Sequence, residues 1–221
     1  MPLAEPTRII AVRHGETAWN VDTRLQGQLD IPLNDRGRQQ ARLAAQALLH
    51  EGPTVLVSSD LSRARETAQA VAAATGLPLA QDPGLRERHF GAWQGHTYAE
   101  VEQRWPEASA RWRRREPHFG PPEGETLQGF FDRCLSTLHR LAAAHAGQTL
   151  VLVAHGGVLD CFYRAASGQA LDAPRTWELP NTGINRLLHT GEQLTLVGWA
   201  DVHHLDEAAR DESQDRVGHA A

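Results

Sequence analysis

Three short clusters in the chain combine arginine or histidine with serine or glycine: Arg13-His14-Gly15, Ser59 leading to Arg63, and His155-Gly156-Gly157. Each stands at the end of an apolar run. A histidine can act as nucleophile, base or metal ligand. An arginine offers planar donors suited to phosphate or carboxylate, and Gly15 permits close backbone approach to a ligand. Two histidines and two arginines around one pocket repel one another unless an anion sits between them. A phosphate group suits: Arg13 and Arg63 can fork to its oxygens, and the amides of Gly156 and Gly157 at a helix start can add to the anion site. Taken singly, each residue also fits an ordinary structural role. Arg13 and His14 could open a solvated loop, and His155 could be a satisfied core histidine. Arg63 could lie on a solvated helix face, and Ser59 could cap the helix that follows it.

The elements that must position these clusters read as an α/β alternation. Residues 9–12, 54–57 and 149–154 are short apolar runs of the kind that fill buried parallel strands. Parallel strands place their carboxyl ends on one rim of the sheet, where ligands bind in open α/β folds, so the three clusters converge. A loop over 19–33 leads to Asn34 or Asp35 as helix cap, and an apolar stripe runs on to about Gly52. A second helix is expected over 61–75, closed by Gly76 and Pro78. Residues 83–122 break the rhythm with prolines, Trp93, Trp105, Trp112 and a basic run at 111–115. They read as an inserted, cap-like segment with a short helix over 98–104. A long helix to about His145 follows Thr126, and another helix runs over 158–166. Residues 181–189 and 194–199 read as strands joined by a Thr-Gly-Glu turn, and the charged tail from Asp206 reads as frayed. The expected architecture is a three-layer α/β/α sandwich with a mostly parallel central sheet, one domain over 1–221 with the insertion at about 83–122.

Composition excludes several classes. Hydrophobic residues make up 41%, charged residues 22%, and the net charge is −5, which gives no basic field for nucleic acid. No apolar run approaches a membrane span and no secretory leader is legible, so a cytoplasmic protein is expected. Cys134 and Cys161 have no metal or disulfide spacing. All 22 basic residues are arginine. His203-His204 with Asp201 and Asp206 could suggest metal, but a solvated terminal segment is the simpler reading.

In order along the chain, Arg13-His14-Gly15-Glu16-Thr17, the stretch from Ser59 through Arg63 to Thr67, Leu85-Arg86-Glu87 with Phe90-Gly91-Ala92-Trp93-Gln94-Gly95, and Ala154-His155-Gly156 resemble the histidine phosphatase superfamily, also called phosphoglycerate mutase-like. The resemblance covers residues 8 to about 200. It implies chemistry through a phosphohistidine, without metal or other cofactor. His14 would take the phosphoryl group, while Arg13, Arg63 and His155 would clamp its oxygens. Glu87 would protonate the leaving alkoxide and then activate water. Taken alone, Glu87 between Arg86 and Arg88 reads as a surface ion pair. Asn20 and Gln26-Gly27 match further contacts to the bound group, and Trp112-Arg113-Arg114 resembles a substrate-contacting segment of the mutase branch. The nucleophile must present a neutral nitrogen to phosphorus, so a backbone carbonyl should hold the other N–H of His14.

Mutases of this family carry a lysine after the position of Gly95, together with a longer shielding insert. Tyr98 stands there in this chain, which contains no lysine. The expectation is therefore hydrolysis of a small phosphomonoester, with mutase activity and a silent phosphate-ligand binder as alternatives. The expected partner is that small molecule, with neither nucleic acid nor membrane. A homodimer could use exposed tryptophans of the insertion.

Overall fold

The computed structural model describes residues 5–191 and 193–206. Residues 1–4, Glu192 of the expected Thr-Gly-Glu turn, and the expected charged tail beyond Asp206 lie outside the described residues. The strands are β1 (Thr7–Arg13), β2 (Val55–Ser58), β3 (Leu79–Gln81), β4 (Thr149–Ala154), β5 (Ile184–Thr190) and β6 (Gln193–Asp201). They form one six-stranded sheet in the order β3-β2-β4-β1-β5-β6. Strands β1 to β4 are parallel, and β5 runs antiparallel between β1 and β6. Around the sheet lie α1 (Ala18–Val21), α2 (Asp35–Leu49), α3 (Ser62–Thr75), α4 (Tyr98–Arg104), α5 (Pro106–Arg113), α6 (Leu127–Ala144) and α7 (Gly156–Ser167).

Alternation along the central strands divides their apolar residues between two faces. Ile10, Val12, Leu56, Val151 and Val153 pack with Ala45 and Leu48 of α2 and Ala64, Ala68 and Val71 of α3. Ile9, Ala11, Leu150, Leu152 and Ala154 meet Phe130, Cys134 and Leu138 of α6 and Val158, Leu159 and Phe162 of α7. β4 is buried along its whole length, so its unbroken apolar run needs no alternation. The result is a three-layer α/β/α sandwich.

Several boundaries differ from expectation for local physical reasons. β3 was not legible, because a three-residue edge strand after Pro78 carries too little pattern. Helix α7 begins at Gly156 rather than Val158, with His155 extended at its N-terminus. β5 begins at Ile184 rather than 181, because Asn181 and Thr182 bond to the backbone of His14 and Arg13 instead of entering the ladder.

The 83–122 segment holds two short 3-10 turns, Pro83–Leu85 and Gly91–Trp93, besides α4 and α5. Its tryptophans do not offer the exposed surface expected for a homodimer. Trp93 is 0% exposed and joins Leu25, Val101 and Phe119 in a small core of its own, with Trp105 and Trp112 packed against it. An indole ring gains more from that burial than from water, and so turns inward.

Candidate active site

The carboxyl end of β1 is fixed by two glycines packed back to back. A Cβ on Gly15 would stand 2.4 Å from the Gly37 carbonyl oxygen, and one on Gly37 would stand 2.0 Å from that of Glu16. Only glycine lets the start of α2 approach so closely. Asn34 caps that helix by accepting from the Gly37 amide at 2.7 Å, and its side-chain amide donates to Glu16 at 2.8 Å. The Gly15 amide donates to Thr67 Oγ1 at 3.0 Å, tying the loop to α3.

His14 is 3% exposed and His155 is 0% exposed, with ring centroids 5.2 Å apart. The His14 Nδ1–H faces the Gly15 carbonyl oxygen at 2.7 Å, the backbone partner expected for it. That contact assigns the proton to Nδ1 and leaves the Nε2 lone pair free. His155 Nε2 lies 2.8 Å from Ser59 Oγ. The Leu61 amide also donates to Ser59 Oγ, at 3.4 Å, but the first amide of α3, that of Ser62, donates to Asp30 instead, so Ser59 serves the site rather than the expected helix cap. Burial, and then the charges of Arg63 and Arg13, push the pKa of His14 well below the usual imidazole value, against the opposing pull of the Gly15 carbonyl. His155 is pushed down by burial first, then by Arg63, His14 and Arg13. Both rings are therefore neutral at pH 7.

Arg63 is 1% exposed and donates to the Gly27 and Leu29 carbonyls at 2.7 and 3.0 Å. Arg13 donates to the Leu179 carbonyl. Neither guanidinium Nε has a partner, although both are buried. Burial lowers the pKa of each, Arg63 to about 10, so both stay charged at neutral pH.

Glu87 does not form the surface ion pair with its flanking arginines. Arg86 forks onto Asp60, and Arg88 donates to the carbonyls of Glu125 and Phe119. The Glu87 carboxylate is held instead by backbone amides, Arg88 N–H at 2.8 Å and Gly157 N–H at 3.0 Å. Gly157 has no Cβ because one would stand 2.2 Å from Glu87 Oε1.

Arg13, His14, Arg63, Glu87, Gly156 and Gly157 line one cavity of about 1160 Å³. Asn20, Gln26 and Gly27 line it too, and Gln26 Oε1 is buried without a partner. His155 is not part of that wall and lies behind the His14 ring. Arg113 borders the cavity but is paired with Glu102. Arg114 is outside the wall and paired with Glu116.

Sequence reasoning missed Asn181, whose side-chain amide donates to the His14 carbonyl at 2.9 Å and lies 3.4 Å from Asn20 Oδ1. It missed Arg133, which binds Glu125 and the Glu87 carbonyl, and Arg175, which lines the cavity. Each sits far in sequence from the clusters, so no local pattern marks it. On the edge strand β6, Asp201 is engaged by Arg186 and His203. Among the described residues no three His, Cys, Asp or Glu side chains form a metal-binding group.

The family described as the histidine phosphatase superfamily (branch 1) matches residues 9–202. The chain is 42% identical over 203 residues to phosphoglycerate mutase-like protein 4 of Arabidopsis thaliana, covering 90% of this chain and 87% of that one. It is 41% identical over 172 residues to the glucosyl-3-phosphoglycerate phosphatase of Mycolicibacterium vanbaalenii, covering 75% and 76% of the two chains. Among solved structures it resembles the phosphoserine phosphatase of Entamoeba histolytica in complex with 3-phosphoglyceric acid. There the TM-score is 0.81 at 28% identity, over 90% of this chain and 99% of that chain.

Proposed function

From the premise that this chain belongs to the histidine phosphatase superfamily, we propose that it hydrolyses a small phosphomonoester through a phosphohistidine on His14. The observation that carries the reading is the neutral His14 ring. Its Nδ1–H is tied to Gly15, and it shares a cavity with Arg13, Arg63 and the amide-held Glu87.

The chemistry proceeds in two balanced halves. The His14 Nε2 lone pair attacks phosphorus while the P–O ester bond breaks, and Glu87 passes a proton to the leaving oxygen. Water then attacks the phosphohistidine, its proton passes to the Glu87 carboxylate, and the P–N bond breaks to release inorganic phosphate. Arg13 and Arg63 hold the equatorial oxygens through both steps, where fixed positive charge is worth most. His155 supports the rear of the clamp from behind His14. The amides of Gly156 and Gly157 open α7 at the same wall, where a helix start favours an anion. Asn20, Gln26 and Gly27 contact the bound group, and Arg113 stands at its outer edge. Arg114 has no part in this reading, since Glu116 holds it outside the wall.

Hydrolysis rather than intramolecular transfer follows from Tyr98, which lines the cavity where a mutase would carry its lysine. A volume of about 1160 Å³ also leaves room for water beside a small ester. The 83–122 segment acts as a cap on a single domain and selects the leaving group. The reaction takes place in the cytoplasm. Glucosyl-3-phosphoglycerate and phosphoserine are the first esters to try, taken from the names of the relatives.

The test is a panel of phosphomonoesters with EDTA present, including 3-phosphoglycerate primed with 2,3-bisphosphoglycerate. Free phosphate and 2-phosphoglycerate are both measured. Phosphate release that disappears in His14→Ala is expected. Abundant 2-phosphoglycerate with little free phosphate would make the protein a mutase. No product from any ester would leave a binding protein.

A further inference from the structure

Residues 168–183, between α7 and β5, contain no helix or strand, yet several of them border the active-site cavity. Among the described residues, the Leu179 carbonyl is also the only acceptor that the Arg13 guanidinium meets. The direction of a clamp arginine therefore depends on a stretch with no ladder of its own to hold it.

What holds that stretch converges on one carboxylate. Asp160 of α7 is 7% exposed, and its Oδ2 accepts from Arg164 at 3.0 Å and from Arg115 at 2.9 Å. Both arginines reach on to the loop. Arg164, 1% exposed, donates to the Ala170 carbonyl and, at 3.0 Å, to that of Ala173. Arg115 donates through Nε to the Leu171 carbonyl at 2.8 Å. Arg164 also lies 4.7 Å over the Trp177 ring, which stacks on Tyr163 at 4.0 Å between centroids. That fixes the chain two residues before the carbonyl that Arg13 uses. Arg115 comes from the cap-like segment just beyond α5, and its φ of 52° is a left-handed conformation that a residue with a Cβ seldom takes. Such strain persists only where the surrounding contacts impose it.

We propose that Asp160 is a positioning residue that acts through Arg164, Arg115 and the 168–183 loop to aim Arg13 at the phosphoryl oxygens. The proposal rests on the assignment of Arg13 to the phosphate clamp. A purely electrostatic role for Asp160 would have the opposite sign. Asp160 lines an anion-binding cavity, so its charge alone disfavours phosphate, and removing that charge would tighten binding. Weaker binding in Asp160→Asn, which keeps the shape of the side chain, reads position instead.

Inorganic phosphate, a ligand that needs only the clamp, is titrated calorimetrically into the parent, Asp160→Asn, Arg13→Gln and the double variant. Stoichiometry reports the folded fraction, and Kd reports the geometry of the folded molecules. A charge-assisted hydrogen bond is worth about tenfold or more, so Kd is expected to rise about tenfold in Asp160→Asn. In the Arg13→Gln background the same change should cost nothing further, because its route is gone. An unchanged or lower Kd in Asp160→Asn, or an equal loss in both backgrounds, overturns the proposal. Where Asp160→Asn does not fold, Arg115→Lys decides. It keeps the charge and loses the two-pronged grip on Asp160 and Leu171, so a weaker Kd supports the proposal and a parent-like Kd overturns it. Parent-like affinity in Arg13→Gln would sink the clamp assignment, and the proposal with it. A parent that binds phosphate but hydrolyses no ester would sink the hydrolase reading and leave the role of Asp160 standing.

Discussion

Replacing Gly157 by alanine would disturb Glu87 without changing a charged atom. The new Cβ would stand 2.2 Å from Glu87 Oε1 and 3.1 Å from its carboxyl carbon, with the Phe130 ring edge also at 3.1 Å. A carbon–oxygen contact relaxes only beyond about 3.2 Å, so the carboxylate must retreat by roughly 1 Å. That movement strains the 3.0 Å bond from the Gly157 amide to Glu87 Oε2. A displacement of about 1 Å costs on the order of 100-fold in rate, and a general acid contributes about 100- to 10,000-fold. We therefore expect kcat for an alkyl phosphate such as glycerol phosphate to fall about 100-fold. Folding should survive, since the atom that must give way first is the far end of the Glu87 side chain rather than backbone. p-Nitrophenyl phosphate adds a sharper signature. Its phenolate leaves without help, so His14 should still be phosphorylated quickly, while hydrolysis of the phosphohistidine, which needs Glu87 as base, should slow. Stopped flow should then show a burst of nitrophenol close to one equivalent of enzyme. A Gly157→Ala protein that turns over alkyl phosphate within threefold of the parent, with no burst, would refute the assignment of Glu87.

The two buried histidines also set how stability depends on pH. Their folded pKa values lie well below the ordinary 6.5, so as pH falls through that value the unfolded chain takes up protons that the folded chain refuses. Stability is present above pH 6.5 and is lost on acidification until the folded rings protonate. The pKa of His189 is lowered as well, by burial and then by His139, and the loss between pH 7 and 5.5, on the order of 1 kcal/mol per ring, is read from urea midpoints. His14→Gln should reduce it, and a flat profile over that range would contradict the neutral-ring picture. In the 83–122 segment, Trp93→Ala empties a fully buried site among Trp105, Trp112 and Phe119. It should destabilise by about 3–5 kcal/mol, whereas Trp93→Phe should be much milder because the Trp93 indole N–H has no partner to lose. Similar urea midpoints for the two variants would show that the segment contributes little to folding.

The strands that carry the site were legible because each is a short apolar run cut off by charge, a pattern that loops and surface helices rarely share. β4 with His155 and β1 with Arg13 and His14 lie side by side in parallel register, Arg13 opposite Ala154. A sequence cannot show which loop returns to close the site. Asn181 and Arg175 belong to the connection after α7, an irregular stretch without periodicity, and their relation to His14 arises only from tertiary contacts. The tryptophans misled for a related reason. Prolines and a basic run suggested an exposed surface, yet Trp93, Trp105 and Trp112 find one another across three short elements and form an apolar core instead. Of the Arg113-Arg114 dipeptide, Arg113 borders the cavity while paired with Glu102, and Arg114 is held by Glu116 outside the wall, a split that a dipeptide match cannot show.

The company an arginine keeps differs between several structural positions and the clamp, although buried Arg88 also bonds to the carbonyls of Phe119 and Glu125. Arg86, Arg133 and Arg186 are paired with carboxylates, Asp60, Glu125, and Glu51 with Asp201. Arg13 and Arg63, far more buried, are oriented by the neutral carbonyls of Leu179, Gly27 and Leu29. A carbonyl fixes direction without cancelling charge, whereas a carboxylate in contact would compete with a phosphoryl group for the same donors. Holding guanidinium groups in a buried wall with no carboxylate in contact, only the charge of Glu87 nearby, is unfavourable for folding, and it is tolerated where an anion must later be bound. The choice of arginine matters as much as its placement. Burial brings Arg63 down to about 10, which still leaves it charged at pH 7. A lysine ammonium starts from a lower ordinary value, so the same burial would bring it closer to losing its charge.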